Sequence, residues 1–450
     1  MTAAMNEFYG LGLAPKLLAA LEQLKFTTPT PIQKNAIPIA LQGQDMVGIA
    51  QTGTGKTLAF GLPMIQRLAQ SRGRGLILVP TRELAIQVEE SLQKVGSAIR
   101  LKTAVLIGGA SMDRQVQQIR RGPHIIIATP GRLIDHLERR TLKLDDVHVL
   151  VMDEADRMLD MGFQPQIKKI LAVVPRDRQT MLFSATMPSE IVKLANQHMK
   201  TPVRVEIAAS GTAADRVTQE LFFVGREAKT HLLKKVLEQY KGTILVFSRT
   251  KHGAKKITKS ILDWGHTVAE IHSNKSLSQR RAALDGFKSG RYRILVATDI
   301  AARGIDVTGI ELVLNFDLPD NPEDYVHRIG RTGRAGLPGH AISFATPDQR
   351  GDVRGIERVM RSTLAVSKLP DLPNTRPSAQ PVYRPAQHPQ RGFQPRRSGQ
   401  QHQPQRSQSQ QAGRSPLQQR EPEPEPQGEY SQPKKFEFPN MPKKAQRRRG

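Results

Sequence analysis

The sequence predicts two consecutive α/β domains with parallel sheets, followed by a disordered basic C-terminal tail. Three observations carry this: short β-branched runs alternate with helical patterns, the runs are continuous instead of alternating with polar residues, and the composition changes at Val366. A strand that is apolar at every position is buried on both faces, the condition of a parallel sheet covered by crossover helices. At about 100 to 200 residues per domain, 450 residues accommodate two domains and a tail.

In chain order, the runs DMVGIA (45–50), GLILVP (75–80), HIIIATP (124–130), VHVLVM (147–152) and TMLFSAT (180–186) set a first domain at residues 1–207. The stretch AASGTAAD at 208–215 reads as a linker. The rhythm restarts with TILVFS (243–248), HTVAEIH (266–272), RILVATD (293–299), LVLNFD (312–317) and HAISFAT (340–346), a second domain at 216–365. The halves echo each other, ILVPTREL at 77–84 with ILVFSRTK at 244–251, and IIIATPGR with ILVATDIAARG, which points to a duplicated architecture.

Residues 366–450 hold 16 Lys/Arg, 6 Asp/Glu, 15 Pro and 16 Gln, a composition unable to bury enough apolar surface to offset the entropy of ordering. The chain's net charge of +26 divides into +16 on residues 1–365 and +10 on this tail, and so basic a balance implies a polyanionic partner. With Tyr383, Phe393, Tyr430, Phe436 and Phe438 interspersed, the tail is suited to hold a polyanion near the core by charge and stacking. There is no cysteine, which excludes disulfides, thiolate nucleophiles and Cys-ligated metals. No apolar run approaches the roughly 18 residues of a membrane span, and the N-terminus lacks a signal-like h-region, so the chain reads as cytoplasmic with no membrane partner.

The strand DMVGIA runs into Ala50-Gln51-Thr52-Gly53-Thr54-Gly55-Lys56-Thr57 and then a helical pattern, a phosphate loop with Ala50 at the first glycine position. In such a loop Gly53 and Gly55 let backbone N–H groups turn onto phosphate oxygens, Lys56 neutralises the β and γ phosphates of ATP, and Thr57 offers its hydroxyl to Mg²⁺. The run VHVLVM ends in Asp153 and Glu154, at the strand end where ligands of open α/β sheets bind. Asp153 is expected to hold Mg²⁺ and Glu154 to orient or deprotonate the attacking water. In the second domain, Tyr325 to Arg334 sets arginines three apart among glycines, suited to reach phosphate across a cleft as arginine fingers.

Asp153-Glu154-Ala155-Asp156 spells the DEAD box, and over roughly residues 8–365 the chain resembles DEAD-box RNA helicases. In order stand a Q motif (Phe26 to Gln33, with Phe8 upstream), the phosphate loop, Pro80 to Ala85, Gly108-Gly109, Thr129 to Arg132, the DEAD box and Ser184-Ala185-Thr186. Val246 to Thr250, Ala297 to Asp299, Arg303 to Asp306 and His327 to Arg334 follow in the second half. The run His272 to Lys275 looks most like the bacterial RhlE-type subgroup.

The resemblance implies two tandem RecA-like domains and an ATP-dependent RNA helicase that unwinds short duplexes or remodels ribonucleoproteins, gripping RNA by its backbone. A second reading is an ATP-gated RNA clamp or scaffold with little unwinding. With RNA as the implied polyanion, the tail is expected to hold structured RNA near the core, with ribosomal or RNA-decay assemblies as further partners. It also implies that Gln33 reads adenine, with Phe26 and Phe8 packing near the ring, and that Asp306 approaches the ribose. Glu154, Lys56, Arg331 and Arg334 are the implied catalytic set. Arg82, Gly109, Thr129 and Arg132, with Thr250, Arg280 and Thr298, lie along RNA, while Ser184, Thr186 and His327 couple nucleotide to RNA. Two departures stand out. Lys25 replaces the usual Gly of the Q motif, a change expected at the backbone, and Leu277 replaces the Gln of a Gln-x-x-Arg element aligned on Phe287, where Gln279 is shifted by two and cannot substitute.

Overall fold

The computed structural model describes residues 6–51, 53–71, 73–207, 217–302, 307, 309–333 and 339–372. Thr52, Asp306, Arg334, the linker at 208–215 and the tail from residue 373 lie outside the described residues.

The first sheet contains β1 (Met46–Ile49), β2 (Arg74–Leu78), β3 (Thr103–Leu106), β4 (Ile125–Ala128), β5 (Val147–Met152), β6 (Gln179–Ser184) and β7 (Val203–Glu206). The second contains β8 (Val217–Phe223), β9 (Ile244–Phe247), β10 (Val268–Ile271), β11 (Ile294–Ala297), β12 (Leu312–Asn315), β13 (Gly339–Ala345) and β14 (Ala365–Val366). The orders are β3-β4-β2-β5-β6-β1-β7 and β10-β11-β9-β12-β13-β8-β14, with every pairing parallel. Counted within each domain these are the same order. The echoed segments occupy equivalent places, β2 against β9 and β4 against β11, so the duplication is architectural.

The continuous apolar runs are explained by burial on both sheet faces. In β4, Ile125 and Ile127 join one apolar cluster while Ile126 and Ala128 join the other. In β9, Leu245 and Phe247 face one layer and Ile244 and Val246 the other. All ten predicted strands form. Four others lack a continuous run: β3 and β7 alternate in burial at the edges of the first sheet, β14 is an exposed pair at the edge of the second, and β8 is buried only in part.

Contacts with the second sheet continue past the expected domain end at residue 365. β14 pairs with β8, the Ser367 N–H donates to the Leu221 carbonyl (2.9 Å), and Leu372 packs on the apolar layer of the second sheet.

Candidate functional site: a nucleotide and RNA cleft

Gly53 and Gly55 follow β1 with φ of 85° and 91°, and Gly55 opens the helix Lys56–Gln70. These left-handed conformations cost glycine little and leave the helix N-terminus facing the loop. A side chain at Gly55 would collide with Gln33, whose Nε2 donates to the Gly55 carbonyl (3.0 Å) while its Oε1 accepts from the Thr30 N–H (3.0 Å). The Q motif is thereby fastened to the phosphate loop. Lys56 is buried and donates to the Ala50 carbonyl (3.0 Å), and the Thr54 hydroxyl donates to the Gln51 carbonyl (2.7 Å). Thr57 is half-buried on the first turn of the same helix.

At the Q-motif departure, Lys25 has φ 61°, a left-handed turn that a side-chain-bearing residue fits less well than glycine. Phe26 is 42% exposed and presents a ring face, whereas Phe8 is fully buried in the apolar cluster of the first domain. Phe8 serves by packing beneath the motif, its neighbours Asn6 and Glu7 donating to the Phe26 and Thr27 carbonyls (3.1 and 3.0 Å).

At the end of β5, Asp153 is buried and accepts from the Glu154 N–H (3.0 Å). Burial pushes its carboxyl up to about 6 against the opposing pull of Lys56. Burial also penalises the Glu154 anion, but Arg157, Lys56 and Arg331 together overturn that and hold it down at about 2. Glu154 sits at φ 53°, ψ 50°, a strained conformation for a side-chain-bearing residue, and is fixed by a 3.0 Å ion pair to Arg157. Among the described residues no group of three or more His, Cys, Asp or Glu could form a self-contained metal cage. The lone buried Asp153, poorly stable as an anion without a cation, fits instead an ion that takes most of its ligands from phosphate and water.

Asp156 was not among the expected site residues, yet it receives the Ala185 N–H (3.0 Å), the Thr186 N–H (2.9 Å) and the Thr186 hydroxyl (2.9 Å) on one oxygen. Its own N–H donates to the buried Ser184 hydroxyl (3.3 Å). The DEAD turn and the segment after β6 are thus one hydrogen-bonded unit.

Helix Pro322–Ile329 of the second domain brings Asp324, His327, Arg328 and Arg331 into one small cavity with Arg157 of the first. Burial, with Arg157 nearby, pushes the His327 imidazole down to about 4, so it is neutral at physiological pH. Arg331 is buried and close enough to Glu154 to stabilise its charge. Arg328 turns inward: it binds both Asp299 oxygens at 2.6 Å, donates to Asn315 Oδ1 (3.1 Å) and lies over the Phe247 ring. Its fork ties the segment after β11, which bears Thr298, to the helix bearing His327.

Among the residues expected along RNA, Gly109 has φ 77° and lies so near Arg82 that a side chain there would strike the guanidinium. Gln115, unforeseen from sequence, holds this loop by accepting from the Ile107 N–H and donating to the Ile107 carbonyl (3.1 Å each). Arg132 donates to the Ala110 carbonyl (3.1 Å). Burial, then the charge of Arg280, then that of Arg132 lower the Arg82 pKa, against Glu83. Three guanidiniums around one carboxylate leave a net positive cluster suited to phosphate.

Arg280 spends part of its charge on Glu83, 2.6 Å away and equally buried. Thr129 and Thr250 stand at helix N-termini, Thr250 accepting from the Gly253 N–H (2.9 Å), and Thr298 is half-buried beyond β11. Gln279 closes a capping box with Ser276, its Oε1 accepting the Ser276 N–H (3.0 Å), so it does not stand in for the missing Gln at Leu277.

Residues 30–194 match the DEAD/DEAH box helicase family and residues 228–336 the helicase conserved C-terminal domain. The chain is 43% identical over 371 residues to the DEAD-box ATP-dependent RNA helicase CshA of Geobacillus kaustophilus, covering 82% of this chain and 79% of that protein. It is 42% identical over 369 residues to the ATP-dependent RNA helicase CshA of Listeria monocytogenes, covering 81% and 71%. Among solved structures, S. cerevisiae Dbp5 bound to RNA and ADP BeF3 superimposes with a TM-score of 0.72 at 30% identity, over 81% of this chain and 96% of that one. Mss116p bound to ssRNA and AMP-PNP gives 0.74 at 28% identity, over 81% and 78%. The two sheets are those of tandem RecA-like domains.

Proposed function

The chain belongs to the DEAD-box family of ATP-dependent RNA helicases, and from that premise we propose that it couples RNA-stimulated ATP hydrolysis in this cleft to local unwinding of short duplexes or remodelling of ribonucleoproteins. The observation that carries the proposal is Glu154, an acid held ionised first by Arg157 and Lys56 of the first domain and then by Arg331 of the second, so that the second domain adds a cation to the acid of the first.

In this reading Gln33 and Phe26 take the adenine, Gly53 to Thr57 the phosphates, and Asp153 with Thr57 would hold Mg²⁺, which screens phosphate charge when bound. Glu154 takes a proton from, or orients, the attacking water, and Arg331 neutralises charge developing on the γ-phosphate. Ser184 and Thr186, fastened to Asp156, pass the nucleotide state toward the RNA cluster of Arg82, Gly109, Thr129 and Arg132. Thr250, Arg280 and Thr298 complete that surface from the second domain.

The RhlE-type subgroup rests on His272 to Lys275 and the overall layout, while the relatives above carry the name CshA. RNA retention by the basic tail, assembly partners there and a cytoplasmic location belong to the same proposal; no described helix is long and apolar enough to cross a membrane. The test is ATPase stimulation by RNA and by DNA of one sequence, beside a strand-displacement assay. Stimulation by RNA with displacement is expected. Stimulation by DNA alone would overturn the reading, and RNA retention without displacement would favour the clamp.

A further inference from the structure

Helix Leu277–Lys288 of the second domain meets helix Arg82–Gly96 of the first through Leu277 and Arg281, which neither nucleotide nor RNA recognition accounts for, on either side of Arg280. Leu277 packs on the first domain's apolar cluster, which includes Leu84 and Val88. One turn later Arg280 pairs with Glu83, and next to it Arg281 lies 3.3 Å from Glu90. Positions i, i+3 and i+4 share a helix face, so Leu277, Arg280 and Arg281 form one stripe toward the first domain. The Ser276–Gln279 capping box fixes where that helix starts and hence where Leu277 points.

A Leu at this position can neither donate nor accept a hydrogen bond to a nucleic-acid backbone. What it can do is bury apolar surface. We propose that Leu277, supported by the Arg281–Glu90 pair, is a direct latch between the domains, so that nucleotide alone closes the cleft to a measurable extent before RNA arrives. Leu277 and Arg281 are positioning residues in this scheme, acting through the relative placement of Glu154 and Arg331. The proposal rests on the helicase reading above and adds to it an RNA-independent contribution to closure. The two parts of the latch differ in character: burial of Leu277 is insensitive to salt, whereas Arg281 and Glu90 are 61% and 48% exposed and their attraction is screened.

The cysteine-free chain suits the test, because dyes can be placed on Lys168→Cys and Lys256→Cys, exposed positions in the first and second domains. Energy transfer in the full chain is read with a non-hydrolysable ATP analogue, with and without RNA, together with ATPase rates. Leu277→Gln is expected to lower the RNA-free closed fraction and the RNA-free ATPase rate by about three- to tenfold while closure at saturating RNA persists. Arg281→Glu should lower the RNA-free fraction by about twofold at low salt, and adding Glu90→Arg should restore it, a rescue that a general loss of stability would not give. The latch is overturned if the native chain does not close without RNA, if Leu277→Gln closes like the native chain, or if the charge swap fails to rescue. Absence of any RNA stimulation in the native chain would instead strike at the helicase reading itself.

Discussion

In both domains the strand lying sixth in the sheet order, β1 or β8, runs through a loop into a helix whose first residue is a lysine, yet the two lysines meet different groups. Lys56 follows two glycines held at positive φ and sits beside Asp153, at the end of β5. Lys229 follows the loop 224–228 and donates to the Phe316 carbonyl (2.8 Å) and to Asp317 (3.3 Å), beyond β12, the strand equivalent to β5. Asp317 in turn accepts the Arg249 N–H (3.1 Å), next to Thr250. One frame thus brings a lysine to a strand-end carboxylate twice. Lys56 follows two glycines held at positive φ, the loop proposed to take phosphate; Gly225 in the loop before Lys229 is not in that region, and there the pair closes on itself and props the turn before Thr250.

The sharpest way to break this division is Glu154→Gln, which should lower RNA-saturated turnover by at least about 100-fold while ATP and RNA dissociation constants stay within a few-fold. Near-normal ATPase in that variant would remove Glu154 from its role. Next, the two lysines should respond differently. Lys56→Ala is expected to weaken ATP binding by at least about tenfold, by loss of a charge-assisted contact to phosphate. Lys229→Met should leave ATP affinity within twofold but cost about 1–3 kcal/mol of stability, because Asp317 loses its partner. Titration calorimetry and urea unfolding separate the two outcomes, and an equal loss of ATP affinity would erase the distinction.

A smaller effect lies in pH. Because burial raises Asp153 to about 6, the native carboxyl keeps a proton between pH 3.8 and 6 that the unfolded chain has lost. This group therefore lowers stability as pH rises through that window and contributes no further change above it. Glu154, held at about 2, does the reverse: its contribution is full above 4.5 and is lost as pH falls from there toward 2. If Asp153 holds Mg²⁺ as proposed, binding needs its anion, and apparent Mg²⁺ affinity in the presence of ATP should be about fourfold weaker at pH 5.5 than at 7.5. A flat profile would contradict the assignment. Smallest of all, Lys25→Gly should raise stability by about 0.5–1 kcal/mol, since glycine relieves the left-handed backbone there, and a thermal shift of a few degrees would register it.

What could be read from the sequence follows burial. The five predicted runs of the first half and four of the second are interior strands that announce themselves; the fifth of the second, β10, is an edge strand with half-buried Ala269 and Glu270 that still shows as an apolar run, and the phosphate loop and DEAD box stand next to such runs in the chain. β3, β7 and β14 are edge strands with one face or less in the core, so no continuous run betrays them. At the site, the hidden residues act on partners distant in sequence. Arg328 reaches Asp299, Lys229 reaches Asp317, and Leu277 reaches a cluster in the other domain. Arg157 did carry a local signal, a cation three residues after Glu154 on a helical turn, and Asp156 is the last letter of the motif itself.

The central claim is that one phosphate site in the first domain is completed by an arginine of the second. Arg331→Ala tests it most directly, with ATP affinity by titration and turnover at saturating RNA measured on the same preparation. ATP affinity within a few-fold of the native value together with a loss of turnover of about 10³ or more is the predicted result. Turnover near the native rate would contradict the account.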